Sequence, residues 1–130
     1  MLGSLKIVAF VPTTDSVKAR TFYEGVLGLT FLKDDGFAMV LDANGTTIRV
    51  AKVPDFKPAS FTILGWQVEG IEKVVRELRG KGVHFEIFGF FKQDELGIWT
   101  APTGERSHGL KIRMGIFCRC RSTCEELVIG

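Results

Sequence analysis

The chain has 130 residues, 45% of them hydrophobic and 25% charged, which suits one globular domain with one core. The formal charge of +2 comes from Lys and Arg interspersed with Asp and Glu, so no basic stripe is available to track a phosphate backbone, and nucleic acid is excluded as an expected partner. No stretch approaches the ~20 apolar residues of a membrane span, and MLGSLKIVAFVP is too short an apolar run for a secretory leader, so no membrane partner is expected and the cytoplasm is the expected location.

In chain order, Leu5 to Val11 is a continuous apolar run ended by Pro12, which predicts a buried strand. Asp15 is a good N-cap for a short helix whose apolar face is Ala19, Phe22, Tyr23 and Val26, and Gly28 sits at the left-handed C-cap position. Three strands then follow in a meander, Leu29 to Lys33, Phe37 to Leu41 and Thr46 to Val53, joined by Asp34-Asp35-Gly36 and by Asn44-Gly45. Pro54 to Ser60 reads as a connector. The order then repeats at an offset of roughly fifty-odd residues. Phe61 to Val68 is a strand, Ile71, Val74, Val75 and Leu78 form a helical face closed by Gly80 and Gly82, and Val83 to Phe88 and Leu96 to Ala101 are strands. Each half is βαβββ, with the second lacking a clear last strand.

Strand–TTD–helix with Ala19-Arg20-x-Phe22-Tyr23, then Val26-Leu27-Gly28-Leu29 and a second strand–helix unit after the connector, resembles the vicinal oxygen chelate superfamily of glyoxalases, bleomycin-resistance proteins and extradiol dioxygenases. The resemblance covers Lys6 to about Glu105. It implies an α+β fold of two βαβββ modules, about 5–53 and 61–116, forming an open curved mixed sheet around a cleft in a single domain over 1–106. It also implies a homodimer in which a second chain completes the assembly.

In metal-using members, His, Glu or Gln side chains from the first and last strands of the modules hold a divalent ion. The resemblance carries those places to Val8, Arg49 and Ile63, none of which offers a lone pair to a cation. Ala9, Val50 and Thr62 beside them are no better, so no metal and no other cofactor is expected. His84 lacks a spaced partner and reads as a strand residue, and Asp94-Glu95 reads as a solvated loop rather than a catalytic carboxylate pair. What remains is a set of strand aromatics, Phe10, Phe37, Trp66, Trp99 and Phe91, with Arg49 as the one cation among them. Those six are the candidate ligand-binding residues for a small aromatic or anionic molecule, although for Phe10 and Phe37 a plain core role fits equally well. The expected function is small-molecule binding of the bleomycin-resistance kind. The alternative is a glyoxalase-like lyase, isomerase or dioxygenase, so whether the chain is an enzyme stays open.

The tail, 107–130, departs from the resemblance. Relatives usually close the second module with a string like AWFKDPDGN, where this chain has SHGLKIRMGIFCRCRSTCEELVIG, which holds His108 and all three cysteines, Cys118, Cys120 and Cys124. With permissible codons, reading from the last base of the Arg106 codon gives IAWFKDPDGNILSVSVNM followed by a stop, so we infer a single-base deletion in the coding sequence there. The C-x-C-x3-C spacing lacks the second ligand pair of a thiolate site, and the frame change accounts for all three cysteines at once. The tail is nonetheless expected to pair as a strand over about Gly109 to Ile116, where apolar residues alternate, and to find no partner beyond Phe117.

Overall fold

A computed structural model describes residues 1–57, 63–83, 95 and 96, and the strand backbones of 98–100, 106–108, 116–121 and 124–129. The chain divides into two compact units, Met1–Lys57 and Pro58–Gly130.

The first unit contains β1 (Val8–Thr13), α1 (Ser16–Arg20), β2 (Thr30–Asp34), β3 (Ala38–Ala43) and β4 (Thr46–Lys52). Its sheet runs β1-β4-β3-β2 with β1 parallel to β4 and the other pairs antiparallel, so the sheet is mixed and open. The first strand starts later than the apolar run predicts, because Leu2–Ser4 forms a 3₁₀ turn. It also runs through Pro12, which an edge strand tolerates since the missing N–H is not needed on the outer side.

Asp15 caps α1 as expected, its Oδ1 accepting from Lys18 N at 3.0 Å. The buried Thr13 hydroxyl supports that turn, donating to Asp15 O at 3.0 Å and accepting from Asp15 N at 3.1 Å. After Arg20 the helix widens into a π-helical segment, Thr21–Val26, with Leu27 N donating to Phe22 O. Ala19, Phe22 and Tyr23 are buried and Val26 is half-buried, so the predicted apolar face survives the widening. Gly28, at φ +77°, then lets Leu29 N donate to Tyr23 O and close the helix end.

Strand alternation builds the core. Val11, Ile48, Val50, Met39 and Leu41 are buried and share one face, because the register pairs Val11 with Val50, Met39 with Val50 and Leu41 with Ile48. This is the helix side, since Arg20 of α1 lies over Phe31, the β2 partner of Leu41. A bulge at Leu32 interrupts β2, a usual device on an exposed edge. Asn44 and Gly45 both have positive φ, giving the two-residue hairpin loop that Asn-Gly predicts.

The second unit contains β5 (Leu64–Val68), α2 (Ile71–Gly80), β6 (Ile98–Thr100), β7 (Arg106–His108), β8 (Ile116–Arg121) and β9 (Cys124–Ile129). Ile71, Val75 and Leu78 of α2 are buried and Val74 is half-buried, and Gly82 at φ +85° ends the helix with Val83 N donating to Leu78 O. The sheet order is β5-β9-β8-β7-β6. The first strand thus lies beside the last, as in the first unit, with the others following in reverse. Among the described residues four strands follow the helix, and β5 meets β9 antiparallel where β1 meets β4 parallel.

The strand pairs β8–β9 and β5–β9 correct one expectation about the tail. Residues beyond Phe117 do find partners. Phe117 pairs with Val128, Cys118 with Leu127 and Arg119 with Glu126, while Trp66 of β5 pairs with Leu127 from the other side. The physical reason is local. CRCR alternates apolar and charged residues, and Val128 and Ile129 supply β-branched ones. The strand expected at Val83 to Phe88 lies outside the described residues beyond Val83 itself, as do most of Gly109 to Ile116 and Phe91, His84 and Asp94.

Candidate functional site

The face of the first sheet turned away from the helix is the candidate site. Alternation puts Val8, Phe10 and Pro12 of β1 on it, and the parallel register sets Thr47, Arg49 and Ala51 of β4 beside them in that order. Phe10 and Arg49 are therefore direct neighbours, joined on the far side by Val40 of β3. Phe10 is 66% exposed although it lies in mid-strand, whereas Val11 beside it is 2% exposed. Ala38 and Val40 on the same face are buried.

Arg49 does not stand alone. Its Nη2 donates to Asp35 Oδ2 at 2.5 Å, while Asp35 Oδ1 accepts from Phe37 N at 3.0 Å and Ala38 N at 2.9 Å. The Arg49 guanidinium and those two backbone amides hold the Asp35 carboxyl down to about 2. The neighbouring Asp34 is held from the helix-side face, where Lys52 Nζ donates to its Oδ2 at 2.7 Å and Gly36 N donates to its Oδ1 at 2.8 Å. These contacts, Lys52 first, lower the Asp34 carboxyl as well. The Asp34-Asp35-Gly36 turn is thus clamped to β4 from both faces of the sheet.

The other predicted site residues are distributed differently. Phe37 is 83% exposed, and the ladder extends to it through Lys52 N donating to Phe37 O. Continuing alternation puts Phe37 on the Met39 side, away from Phe10 and Arg49. Trp66 is half-buried in β5, and Trp99 lies in β6, both in the second unit. Asp35 is the partner of Arg49 that sequence reasoning missed. Its partner is fourteen positions away, a separation that the meander of β2, β3 and β4 brings together but no local spacing reveals.

Val8 and Arg49, where the resemblance puts metal ligands, lie two positions apart on β1 and its partner strand, because Val8 pairs with Thr47. Ile63 precedes β5 and is 39% exposed. Their side chains do not fit a divalent ion, since alkyl groups carry no lone pair and a guanidinium repels it. Among the described residues no three His, Cys, Asp or Glu side chains are grouped to hold a metal.

On the helix side, a groove of about 560 Å³ runs between α1 and the β2 edge, lined in part by Val17, Arg20, Glu24, Phe31 and Asp34. Its cation is already engaged, with Arg20 3.7 Å above the Phe31 ring and its Nε 3.4 Å from Glu24 Oε1.

No protein-family model matches the chain, and no curated protein matches it significantly. Solved structures do. A bleomycin resistance determinant encoded on the transposon Tn5 superposes with a TM-score of 0.59 at 11% identity, covering 98% of each chain. A glyoxalase family protein from Enterococcus faecalis gives 0.57 at 17% identity, covering 98% of this chain and 99% of that one. A glyoxalase/bleomycin resistance protein/dioxygenase from Alicyclobacillus acidocaldarius gives 0.56 at 13% identity, over 96% and 89%. The chain therefore shares the fold of these glyoxalase and bleomycin-resistance structures, α+β with an open mixed sheet. Among the described residues no helix is long and apolar enough to cross a membrane.

Proposed function

We propose that this chain binds a small aromatic or anionic molecule on the strand face that carries Phe10 and Arg49, in the manner of a bleomycin-resistance protein and without a metal ion. The observation that supports this most is an exposed phenylalanine in mid-strand directly beside a half-buried arginine. An aromatic side chain left 66% exposed forgoes burial that a core position would give it, whereas a flat ligand would recover that burial. The ligand-position residues Val8, Arg49 and Ile63 point the same way, since the superfamily's chemistry depends on Lewis-acid polarisation that they cannot anchor.

A homodimer in the cytoplasm belongs to this reading. Leu5, Ile7 and Val8 are 61%, 75% and 45% exposed at or just before β1, an edge of its sheet, and such an edge is a template for a second chain.

A thermal-shift screen of small metabolites and antibiotics is the direct test, followed by titration of any hit against Arg49→Ala. The expected loss of affinity is about 1–3 kcal/mol, as for removal of a charge-assisted hydrogen bond. The melting temperature should change little, because Asp35 keeps its two backbone amides. A large fall in melting temperature with unchanged affinity would make Arg49 a structural residue instead.

A further inference from the structure

The strand register of the second unit sorts the histidine and the cysteines of the tail by face. His108 of β7 pairs with Cys118 of β8, and Cys120 lies two positions further along the same strand. Cross-strand partners share a face and so do residues two apart, so His108, Cys118 and Cys120 stand together. Cys124 stands on the other face, because it pairs with Arg121, which is out of step with Cys118 and Cys120. The cysteine spacing lacks a second ligand pair, and the neighbouring strand supplies a donor that no spacing reveals. The set is one of strand placement, the backbones of these three residues being what the structure describes.

The row through Cys118 reads Trp66, Leu127, Cys118, His108, Ile98 across the sheet. Cys118 and His108 are thus polar neighbours in a row otherwise apolar. On β5 this is the face of Leu64, Trp66 and Val68, which are half-buried, while Gly65 and Gln67 of the opposite face are exposed.

We propose that His108, Cys118 and Cys120 form a binding site for a soft monovalent cation, copper(I). The site lies in the second unit and is independent of ligand binding by the Phe10–Arg49 face of the first. The deletion inferred at Arg106 says how the cysteines entered the chain and not what they bind. Two thiolates and an imidazole nitrogen are three donors suited to copper(I), whereas a closed zinc site takes four. Glu125, across from Cys120, shares the face but stands two strands and two positions from His108. That is about 12 Å between Cα atoms, near the combined reach of the two side chains, so the compact set is the three. Binding releases the two thiol protons, and Cu+ with two thiolates and a neutral imidazole carries one negative charge. Arg106, two positions before His108 and so on the same face, is a cation that favours both the thiolates and that complex.

Copper(I) supplied as its bis-bicinchoninate complex under anaerobic ascorbate is the probe, and the fall in that complex's absorbance reads uptake by the full chain. Wild type is expected to take one equivalent. Cys118→Ser and Cys120→Ser should each weaken binding about a hundredfold and His108→Ala about tenfold, whereas Cys124→Ser should leave it within about twofold. The three serine variants each lose one thiol and differ in face. Equal losses in all three, or an unchanged His108→Ala, would overturn the site. X-ray absorption at the copper edge of loaded wild type needs no variant. It should show two sulfurs and one nitrogen around the metal, and a shell without nitrogen or with a third sulfur would overturn the assignment. Zinc offered in place of copper is expected to stay below one equivalent after desalting, and stoichiometric zinc would overturn the choice of a monovalent cation. Failure of wild type to draw any copper from the competitor would remove the site altogether.

Discussion

We propose that the tail arose by the single-base deletion inferred at Arg106, and a chain read in the other frame from there is expected to have an unfolding free energy higher by a few kcal/mol, measured as a higher urea midpoint at unchanged slope. In the restored frame the second module would close with AWFKDPDGNILSVSV, which supplies a DPDG turn and alternating apolar residues for the strand beside β5. In the present chain the place beside β5 is taken by Cys124–Ile129, which runs antiparallel to it. The first unit shows what the repeat would provide, a last strand parallel to the first with Val50 and Ile48 buried against Val11 and Leu41. Equal midpoints for the two proteins, or a coding sequence around Arg106 that cannot be read in the other frame, would mean that the tail is the native one.

Raising the pH from 9 to 12 is expected to cost about 2 kcal/mol of stability through Tyr23 alone, the only tyrosine in the chain. Burial pushes its hydroxyl up to about 12, because the phenolate would have to form among Phe22 and the rest of the helix-side core. The folded state therefore keeps the proton over a range in which the unfolded chain releases it. The contribution is fully present below the unfolded value near 10 and is lost as pH rises through the folded one. Since there is a single tyrosine, absorbance near 295 nm follows its ionisation directly. Urea midpoints of wild type and Tyr23→Phe should diverge in slope above pH 10, with the phenylalanine protein losing less. Parallel curves would mean that the hydroxyl is solvated in the folded state.

The readable parts of the fold were those set by neighbouring residues. Asp15 caps its helix, Gly28 and Gly82 end theirs, and Asn44-Gly45 turns its hairpin, each because a local backbone need has a local chemical answer. The placement of Phe10 and Arg49 on one face was readable as well, since strand alternation and a parallel first-to-last pairing follow from the βαβββ order. Phe37 shows the limit of that reading, because one residue of uncertainty in where β3 begins moves a side chain to the other face. The Asp35–Arg49 and Asp34–Lys52 contacts were not readable, because they join residues fourteen and eighteen positions apart through two strand pairings. The π-helical widening at Thr21–Val26 left no mark on the apolar spacing, and the strands of the tail came from an alternation whose partner, β5, lies far back in the chain.

Elemental analysis of protein purified without chelator tests the central proposal, that this chain binds its ligand without a metal ion. The account predicts zinc, nickel, manganese and iron well below one equivalent per chain, with binding of the screened ligand unaffected by added metal. Stoichiometric retention of any one of them, with the turnover of a glyoxalase-like lyase, isomerase or dioxygenase, would contradict it.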